Sequence, residues 1–546
     1  MASARTLLRY WHTLRHLKPA QFIGRVRFRL ARPRVDPRPA PAVRVPGGPW
    51  RVSARRRASL EGPLAFRFLN ESHALADVGW DGAQVAKLWR YNQHYFEDLH
   101  GVGADARTPW HHALVERWLR DNPPGVGTAW EPYPLSLRLV NWIKWCWQGH
   151  ALSPQAVHSI AVQARWLMQR LEWHLLGNHL FVNAKALVFA GLFFEGPEAD
   201  AWLFTGLRIL RREVPEQILD DGGQFERSPM YHALALEDML DLWNAATACR
   251  TALSADDAEW FDAQRARIQA MRRWLVAMTH PDGEIALFND AAIGIAPSPD
   301  ELHAYAMRLG FEEQPALVDG VTHLRASGYV RVQRGPFVAM LDVGAIGPDY
   351  LPGHAHADTL SFEMSLHGRR VLVNSGTSIY GTGLERLRQR GTPAHNTLSV
   401  DGADSSEVWG GFRVARRARP RDLRVGGQGD EVTVACSHDG FLRLGRGAMH
   451  RRTWTVRPGV LEVLDEVQGG GAIASHWHFA PDLAISAINP CAVRLHGDHA
   501  MTVEASRAAW SVERSTWHPE FGTSVPNWAA TTRPEGRSAV VRFTWS

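Results

Sequence analysis

The spacing of hydrophobic residues changes part-way along the chain. From about residue 88 to residue 309, apolar residues recur at helical spacing between Gly and Pro breaks. From Gly328 onward they alternate at every second position, and glycine-rich turns separate the alternating segments. The first pattern predicts helices at 110–122, 132–150, 154–176, 179–195, 200–218, 229–250, 256–279 and 298–309. The second pattern predicts a large antiparallel β-sandwich.

The length of the chain and this change of period predict a multidomain protein of α and β class. At 546 residues the chain is too long for a single hydrophobic core. We expect a basic N-terminal arm and linker at 1–60, a helical domain at 61–318 and a β-sandwich at 319–546. Asp36 is the sole acid among fifteen Arg and Lys in the first 57 residues. That charge suits an anionic surface, although a solvated arm carrying a short amphipathic helix is the expectation.

Composition narrows the class of protein. Hydrophobic residues make up 45% of the chain and charged residues 21%, as in globular proteins. The four Cys residues are scattered without CxxC spacing, so neither a thiolate zinc site nor a disulfide framework is expected. No apolar run of about 18 residues occurs, so no transmembrane span is expected. The N-terminus lacks the pattern of a secretory signal, which on the sequence alone indicates the cytoplasm.

The net charge of +5 is carried almost wholly by arginine, since only four lysines occur. Arginine binds carboxylates in a bidentate manner, so this charge suits an acidic polymer. Nucleic acid is the rival partner, but no zinc-finger, RRM or KH pattern appears. We therefore expect no nucleic-acid partner. The 23 Trp add flat apolar faces suited to stacking on sugar rings, although most are expected in the core.

Two histidines one residue apart, His354 and His356, directly precede the strongly alternating segment 359–366. If the extended backbone reaches back this far, both imidazoles share a face and could serve one site. The alternative is a pair of surface or turn histidines, in a chain that contains 26 of them.

Five motifs together resemble the heparinase II/III family of polysaccharide lyases, from about residue 85 to the C-terminus. They are WRYNQHYFEDL (89–99), GNHLFVNAKAL (177–187), DGGQFERSPMYH (221–232), GHAHAD (353–358) and AHNT (394–397). The resemblance implies an incomplete α/α toroid followed by an antiparallel β-sandwich, which agrees with the change of period. It also implies an enzyme that cleaves a uronic-acid-containing polysaccharide by β-elimination and leaves 4,5-unsaturated uronate ends.

The resemblance implies three catalytic residues. Asn178 would hydrogen-bond the uronate carboxylate, and its place at the start of a helix suits an anion, although a plain N-cap is the alternative. Tyr231 would be the Brønsted acid and, for one uronate epimer, also the base; Ser228 and Pro229 before it indicate a helix start. His354 would accept the C5 proton when that proton lies on the face opposite Tyr231.

Further residues of these motifs, and nearby arginines, are predicted to bind substrate. They are Tyr91, Asn92, His94, Tyr95, His179, Asn183, Glu226, Arg227, His232, Arg386 and Arg390. Core packing is an equal alternative for the segment around Tyr91, and a buried amide is the alternative for Asn183. Arg386, Arg388 and Arg390 occupy alternate positions, which suits either a subsite for acidic sugars or a solvated sheet edge.

A structural zinc is bound in some members of the family, and the matching positions here are His356, Asn374 and His395. An amide is a poor zinc ligand beside the usual carboxylate. We expect no required cofactor. Instead, a metal-free polar cluster is predicted, in which these three residues hydrogen-bond one another and brace the loop that carries His354.

Two other functions remain open at this stage. One is a non-catalytic polysaccharide-binding or export-assisting protein on the same scaffold. The other is a glycoside hydrolase, for which Glu97, Asp221 and Glu226 are the candidate acids. The resemblance implies an acidic polysaccharide partner and a periplasmic or cell-envelope location, and the sequence leaves the polymer and the oligomeric state open.

Overall fold

The computed structural model describes residues 4–314, 316–445, 447–497, 500–506 and 508–545. Helices dominate the first part of the chain, and the eight predicted ones are confirmed to within a few residues at most ends. The helices are α1 (Ala4–Leu14), α2 (Pro19–Leu30), α3 (Leu75–Val78), α4 (Lys87–Gln93), α5 (Thr108–Asp121), α6 (Pro132–Trp147), α7 (Pro154–Gln169), α8 (Gly177–Phe193), α9 (Pro197–Gln217), α10 (Pro229–Ala248), α11 (Ala255–Ala277), α12 (Pro299–Arg308) and α13 (Leu384–Arg390).

Strands dominate the second part, after a short sheet near the N-terminus that the sequence pattern did not predict. The strands are β1 (Leu60–Gly62), β2 (Ala65–Phe68), β3 (Glu71–Ala74), β4 (Gly320–Leu324), β5 (Tyr329–Arg334), β6 (Phe337–Asp342), β7 (Phe362–Leu366), β8 (Arg369–Leu372), β9 (Leu398–Val400), β10 (Val408–Trp409), β11 (Arg413–Val414), β12 (Pro420–Gly426), β13 (Val432–His438), β14 (Met449–Arg457), β15 (Val460–Gln468), β16 (Ile473–His478), β17 (Ala484–Asn489), β18 (Ala492–His496), β19 (Met501–Ser506), β20 (Trp510–Trp517), β21 (Val525–Thr532) and β22 (Ser538–Trp545). The change from helix to strand falls between Arg308 and Gly320.

The strands form antiparallel sheets that enclose a second hydrophobic core. The largest sheets have the orders β4-β5-β6-β7-β8, β12-β13-β14-β15-β22-β19-β18-β17 and β20-β21-β16-β9. Side chains of the first two meet in the core, where the rings of Phe337 and Trp545 stack at 5.3 Å and Phe362 packs edge-on against Trp454. This helical toroid followed by a sandwich confirms the predicted fold class.

Two helix starts place the residues of interest. Ser228 caps α10 by accepting a hydrogen bond from the backbone N–H of Tyr231 at 3.2 Å, with Pro229 at the first position, as predicted. Helix α8 begins at Gly177, and the backbone has a positive φ both there, at 54°, and at the preceding Leu176, at 63°. Asn178 is therefore the second residue of α8 and not its N-cap.

The N-terminal segment is not the solvated arm that we expected. Helix α1 lies against the second part of the chain, where Trp409 donates from its indole to Thr13 at 3.1 Å. Helix α2 lies against the first part, where Arg170 stacks on Phe28 at 3.5 Å. The sequence pattern missed this docking because the residues that make it are few and mostly polar. No helix of the described residues is both long and apolar enough to cross a membrane.

The loop before β7 is the second correction. The shared face for the two histidines required extended backbone back to His354, but β7 begins at Phe362 and residues 353–358 form turns and irregular backbone. His354 and His356 therefore do not share a face. His356 is fully buried and turned to the interior, whereas the His354 side chain retains 15% exposure.

Candidate active site

Tyr231 of α10 and His354 of the loop before β7 come together between the two parts of the chain. Their rings stack with centroids 3.9 Å apart and planes 18° apart. The Tyr231 hydroxyl also shares a 2.9 Å hydrogen bond with the hydroxyl of Tyr380. A spacing of 3.9 Å leaves no room for a sugar between the rings, so a substrate must meet them from one side or at their edges.

A buried carboxylate orients the imidazole of His354. Oε2 of Glu226 lies 2.5 Å from Nδ1 of His354, and Glu226 is 2% exposed. Because an ionised carboxylate only accepts hydrogen bonds, Nδ1 carries the proton. In the neutral imidazole the lone pair then lies on Nε2, which leaves this nitrogen able to accept a proton.

Gly177, the first residue of α8, lies near the carboxylate of Glu226. A Cβ on Gly177 would lie 3.7 Å from Oε1 of Glu226 and 2.3 Å from Cδ2 of Leu351, and the positive φ of 54° favours glycine at this position. Gln217 fixes the turn by donating to the carbonyl of Gly177 at 3.0 Å. Asn178, next in the chain, is half-buried.

His179 adds a second imidazole at this end of α8. Its Nδ1 lies 3.2 Å from Glu172, and its ring packs on Tyr133 with centroids 4.6 Å apart. Burial alone would lower the pKa of His179, but the carboxylate of Glu172 raises it above the usual value. Protonated His179 would contribute positive charge next to Asn178.

The phenol of Tyr231 remains protonated. Burial, together with the neighbouring Tyr380 and Asp290, raises the pKa of Tyr231 well above its usual value of about 10. The first-turn position on α10 opposes this only weakly, since a helix terminus contributes about 1 kcal/mol at most sites. Tyr231 is thus equipped to donate a proton rather than to act as a phenolate.

Asp290 is the centre of the network that holds the His354 loop, and sequence reasoning missed it. Its backbone N–H donates to the carbonyl of His354 at 2.9 Å, and its carboxylate accepts from His356 Nε2 at 2.8 Å. Arg386 forms a bidentate pair with the same carboxylate, at 2.6 Å for the Nη2 contact. Burial would raise the pKa of Asp290, but Arg386 and His356 hold it far below its usual range.

The predicted cluster of His356, Asn374 and His395 is formed only in part. His395 Nδ1 lies 3.4 Å from the Asn374 side-chain oxygen, whereas His356 bonds to Asp290 instead. His356 Nδ1 and His395 Nε2 are buried without a hydrogen-bond partner among the described residues. Burial lowers the pKa of His356 to about 4, so both imidazoles are neutral at pH 7.

These residues do not fit a zinc ion. Structural zinc takes four ligands, usually with anionic thiolates among them or with a carboxylate. Here the carboxylate that contacts His356, that of Asp290, is bonded to Arg386, and position 374 supplies an amide. No group of three or more His, Cys, Asp or Glu placed to hold a metal is found in the described ranges.

Several predicted substrate-binding residues are structural. His94 is fully buried between the indole of Trp118 and the carbonyl of Trp80, at 3.0 and 3.1 Å. His232 bonds to the carbonyl of Met271 at 2.9 Å. Burial lowers the pKa of both histidines to about 3.

Asn183 is fully buried as well, and its amide bonds to Ser136 and Glu172 at 3.1 Å each. The buried-amide alternative is therefore the correct one for Asn183. Like His94 and His232, it faces the interior of the helical layer and not a surface that a polymer can reach.

Arg386 and Arg390 are also structural, because the segment that contains them is a helix and not a sheet edge. They lie four residues apart on α13 and share its buried face. Arg390 donates to the carbonyl of Ala355, between the two histidines, at 2.8 Å. No acidic-sugar subsite is formed by these two arginines, which instead hold the loop in place.

The remaining predicted residues divide into two groups. Glu226 and Arg227 are turned inward, since Glu226 bonds to His354 and the Arg227 guanidinium donates to the carbonyl of Ala345. Tyr91 and Asn92 are half-buried, and Tyr91 bonds to Glu131. Tyr95 is 6% exposed and packs edge-on against Tyr91 and Tyr133.

The acids proposed for a hydrolase have other partners. Glu97 pairs with Arg56 at 3.3 Å, and Asp221 accepts hydrogen bonds from Ser327. Glu226 is held by His354. The geometry thus gives no support to a hydrolytic acid pair among these three.

Tyr380 and Glu172 contact the site and were also missed by sequence reasoning. Tyr380 lies in a loop after β8, 149 residues from its partner Tyr231. Glu172 precedes α8 in a turn, and Asp290 follows α11 in irregular structure. Each is a single polar residue in a loop, without a repeated spacing that would have indicated its partner.

The fold and the site together define a toroid-and-sandwich protein with a tyrosine and a carboxylate-bound histidine at its domain junction. Two family models match: heparinase II/III N-terminus at residues 112–301 and heparinase II/III-like, C-terminal, at residues 318–544. The chain belongs to the heparinase II/III family.

Relatives of known activity and known structure agree with this assignment. A heparin-sulfate lyase of Pedobacter heparinus is 24% identical over 325 residues, which are 52% of this chain and 46% of that protein. One of Bacteroides stercoris is 27% identical over 244 residues, 41% of this chain and 36% of that protein. The matched stretches thus span about half or less of these relatives.

Solved structures of other proteins are similar in fold to most of this chain. A crystal structure of heparinase III superposes with a TM-score of 0.68 at 18% identity, over 86% of this chain and 79% of that one. Heparan sulfate lyase HepC from Pedobacter heparinus superposes with a TM-score of 0.57 at 18% identity, over 88% and 81%.

Proposed function

We propose that this protein is a polysaccharide lyase that cleaves a uronic-acid-containing polysaccharide by β-elimination. The Tyr231–His354 stack, with Glu226 on the far nitrogen of the imidazole, is the observation that carries this proposal. It combines a neutral acid with an oriented base, which are the two proton-transferring groups that an elimination needs. The curated relatives, which are named heparin-sulfate lyases, support the reaction class.

Carboxylate recognition is assigned to the start of α8. The amide of Asn178 and the free N–H groups of the first turn suit an anion, and protonated His179 adds charge. Hydrogen bonding and positive charge at the uronate carboxylate stabilise the negative charge that develops when the C5 proton leaves. The C5 proton thereby becomes acidic enough for an imidazole to remove.

The proton transfers follow from the two side chains. Nε2 of His354 takes the C5 proton, the C5–H electrons form the C4=C5 double bond, and the C4–O4 bond breaks. Tyr231 donates its phenolic proton to the departing O4, and the phenolate that forms is stabilised by the hydroxyl of Tyr380. Both groups act from one side of the sugar because their rings are stacked, whereas the family resemblance implied that His354 acts on the face opposite Tyr231. The arrangement favours a uronate whose C5–H and C4–O4 bonds lie on the same side of the ring.

The cluster of His356, Asn374 and His395 is proposed to work without a metal and to brace the His354 loop together with Asp290. A periplasmic or cell-envelope location is proposed from the family resemblance.

The test of the proposed function uses purified protein and a panel of uronate polymers. Elimination creates a conjugated unsaturated uronate that absorbs in the ultraviolet, and we expect this absorbance to rise with at least one polymer. Hydrolysis would give new reducing ends without absorbance, and a binding protein would give neither product. Either of those outcomes across the whole panel would overturn the proposal.

A further inference from the structure

The two N-terminal helices form a hairpin, α1 (Ala4–Leu14) followed by α2 (Pro19–Leu30), that is attached to the protein by its polar residues. On α1, Arg9 pairs with Glu407 at 3.2 Å and Thr13 accepts from the indole of Trp409 at 3.1 Å. His16, just after α1, lies 3.9 Å from Asp349. The face of α1 that points to the protein is therefore mainly polar, with the ring of Tyr10 packed edge-on against Trp409 at 4.9 Å as its aromatic contact.

The opposite face of α1 is apolar and points to solvent. Leu7 and Trp11 are each 63% exposed and Leu14 is 41% exposed, at a spacing of four and three residues that places them in one stripe. In an ordinary surface helix the apolar stripe faces the core and the polar face meets water. Helix α1 has the reverse orientation, which leaves its apolar stripe without a partner in the described chain.

Helix α2 repeats the arrangement. It is buried along Gln21 and Gly24, where a Cβ on Gly24 would lie 2.8 Å from the backbone nitrogen of His174. Its exposed apolar residues are Phe22, Ile23, Val26 and Leu30, between 50% and 74% exposed.

Basic residues flank this apolar stripe and none of the flanking residues is acidic. On a helical projection Arg25 and Arg29 lie to one side of the stripe and Arg27 to the other, and all three are exposed. Residues 1–30 contain seven Arg and Lys and no Asp or Glu. The hairpin thus combines an outward apolar stripe with an unbalanced positive charge.

We propose that this hairpin docks the protein on an anionic phospholipid membrane surface. Amphipathic helices with aromatic and aliphatic residues on one face and arginine beside them lie in the interface plane of such a membrane. The apolar stripe enters the boundary between headgroups and acyl chains, while the arginine side chains extend to the lipid phosphates. The absence of acidic residues in the hairpin matches a negatively charged surface and not a neutral one.

The test measures co-sedimentation of the full chain with vesicles of phosphatidylglycerol and phosphatidylcholine, and with vesicles of phosphatidylcholine alone. We expect at least tenfold more bound protein on the anionic vesicles, and a loss of binding as salt is raised. The triple variant Leu7→Ser, Trp11→Ser, Leu14→Ser should bind at least tenfold less. The triple variant Arg25→Gln, Arg27→Gln, Arg29→Gln should lose the preference for anionic vesicles.

The matched control removes equally exposed apolar side chains elsewhere, with Phe204→Ser on α9 and Leu384→Ser at the start of α13, which are 66% and 86% exposed. This control should bind vesicles like the unaltered protein. Activity on a soluble polymer should be the same in all variants. Vesicle binding is measured without any polymer, so its result can be interpreted even if no lyase activity is found.

Three results would overturn the proposal. One is no binding of the unaltered protein to anionic vesicles. A second is equal loss of binding in the control variant. The third is a dimer in sedimentation velocity without lipid that the Leu7, Trp11 and Leu14 variant converts to monomer, because the stripe would then pair with a second copy of the chain.

Discussion

Nδ1 of His354 is 2.5 Å from the carboxylate of Glu226, although the two residues are 128 positions apart and come from the two different parts of the chain. This contact joins the sandwich loop to the turn before α10. It also decides which imidazole nitrogen faces the substrate. In the proposed elimination, Glu226 therefore sets which nitrogen of His354 acts as the base.

The substitution Glu226→Gln should lower kcat by roughly 10²- to 10⁴-fold with a small change in KM. An amide can donate to Nδ1, which stabilises the tautomer in which Nε2 is already protonated. The measurement is steady-state ultraviolet absorbance on the best polymer of the panel. Glu462→Gln, which removes a carboxylate from an exposed pair with Arg542, serves as the control and should leave kcat unchanged. Unaltered kcat in the Glu226 variant would remove this orienting role.

Tyr231→Phe should reduce turnover by on the order of 10²- to 10⁴-fold, because the ring stack is kept and only the proton donor is lost. Substrate binding and the unfolding midpoint should change little. Tyr305→Phe is a suitable comparison. The buried Tyr305 hydroxyl donates a hydrogen bond to Asp241 at 2.9 Å and is not part of the site. It should cost about 1 kcal/mol of stability and leave activity per folded molecule intact. Retained turnover in the Tyr231 variant would exclude it as the acid.

The stacked rings predict a preference between C5 epimers. A polymer whose C5–H and C4–O4 bonds lie on one side of the sugar should be cut at least tenfold faster, as kcat/KM, than its epimer. The reason is that the base and the acid reach the sugar from the same side. Two polymers matched in length and sulfation provide the comparison. Faster cleavage of the other epimer would mean that the stack opens when substrate binds.

Asp290→Asn should destabilise the fold by roughly 3–5 kcal/mol, because it leaves the buried Arg386 without its counter-charge. A fall in the thermal unfolding midpoint measures this effect. Glu385→Gln breaks an ion pair on the same helix, the exposed pair with Arg388, and should change stability by less than about 1 kcal/mol. Equal shifts in the two variants would contradict the central role of Asp290.

The buried histidines should make the protein less stable in acid. Burial lowers the pKa of His94 and His232 to about 3 and of His356 to about 4, against about 6.5 in the unfolded chain. Between these values the unfolded state binds more protons, so stability is full above pH 6.5 and falls as the pH drops toward 4. Unfolding midpoints measured from pH 7 to pH 4.5 should decline, and His94→Gln should reduce the slope. A flat profile would show that these histidines titrate normally in the folded state.

Much of the fold was predictable from the sequence because it depends on repeated spacing. Eight helices and the main strands follow from apolar residues at periods of 3.6 and 2, and Ser228 with Pro229 correctly indicated the start of α10. The site was predictable only where a motif named a residue. Asp290, Tyr380 and Glu172 act through contacts with other parts of the chain, which produce no periodic pattern in the sequence.

The sequence-based errors have one common cause. Arg386, Arg388 and Arg390 occupy alternate positions like residues on a strand, yet they lie on a short helix, on which Arg386 pairs with the buried Asp290. His94 and His232 have the residue type of a sugar-binding site, yet each fills a buried gap beside a tryptophan. Residue type alone does not distinguish a polar group that binds a ligand from one that satisfies the interior.

The N-terminal hairpin has a mechanical consequence for the whole molecule. Lys18 pairs with Glu216 at the end of α9 and lies 3.8 Å from the ring of Tyr350, while Arg9 pairs with Glu407 in the second part of the chain. The hairpin therefore connects the toroid to the sandwich through side-chain contacts. One of these contacts is with Tyr350, four residues before His354. Any movement of the toroid relative to the sandwich has to strain or break these contacts.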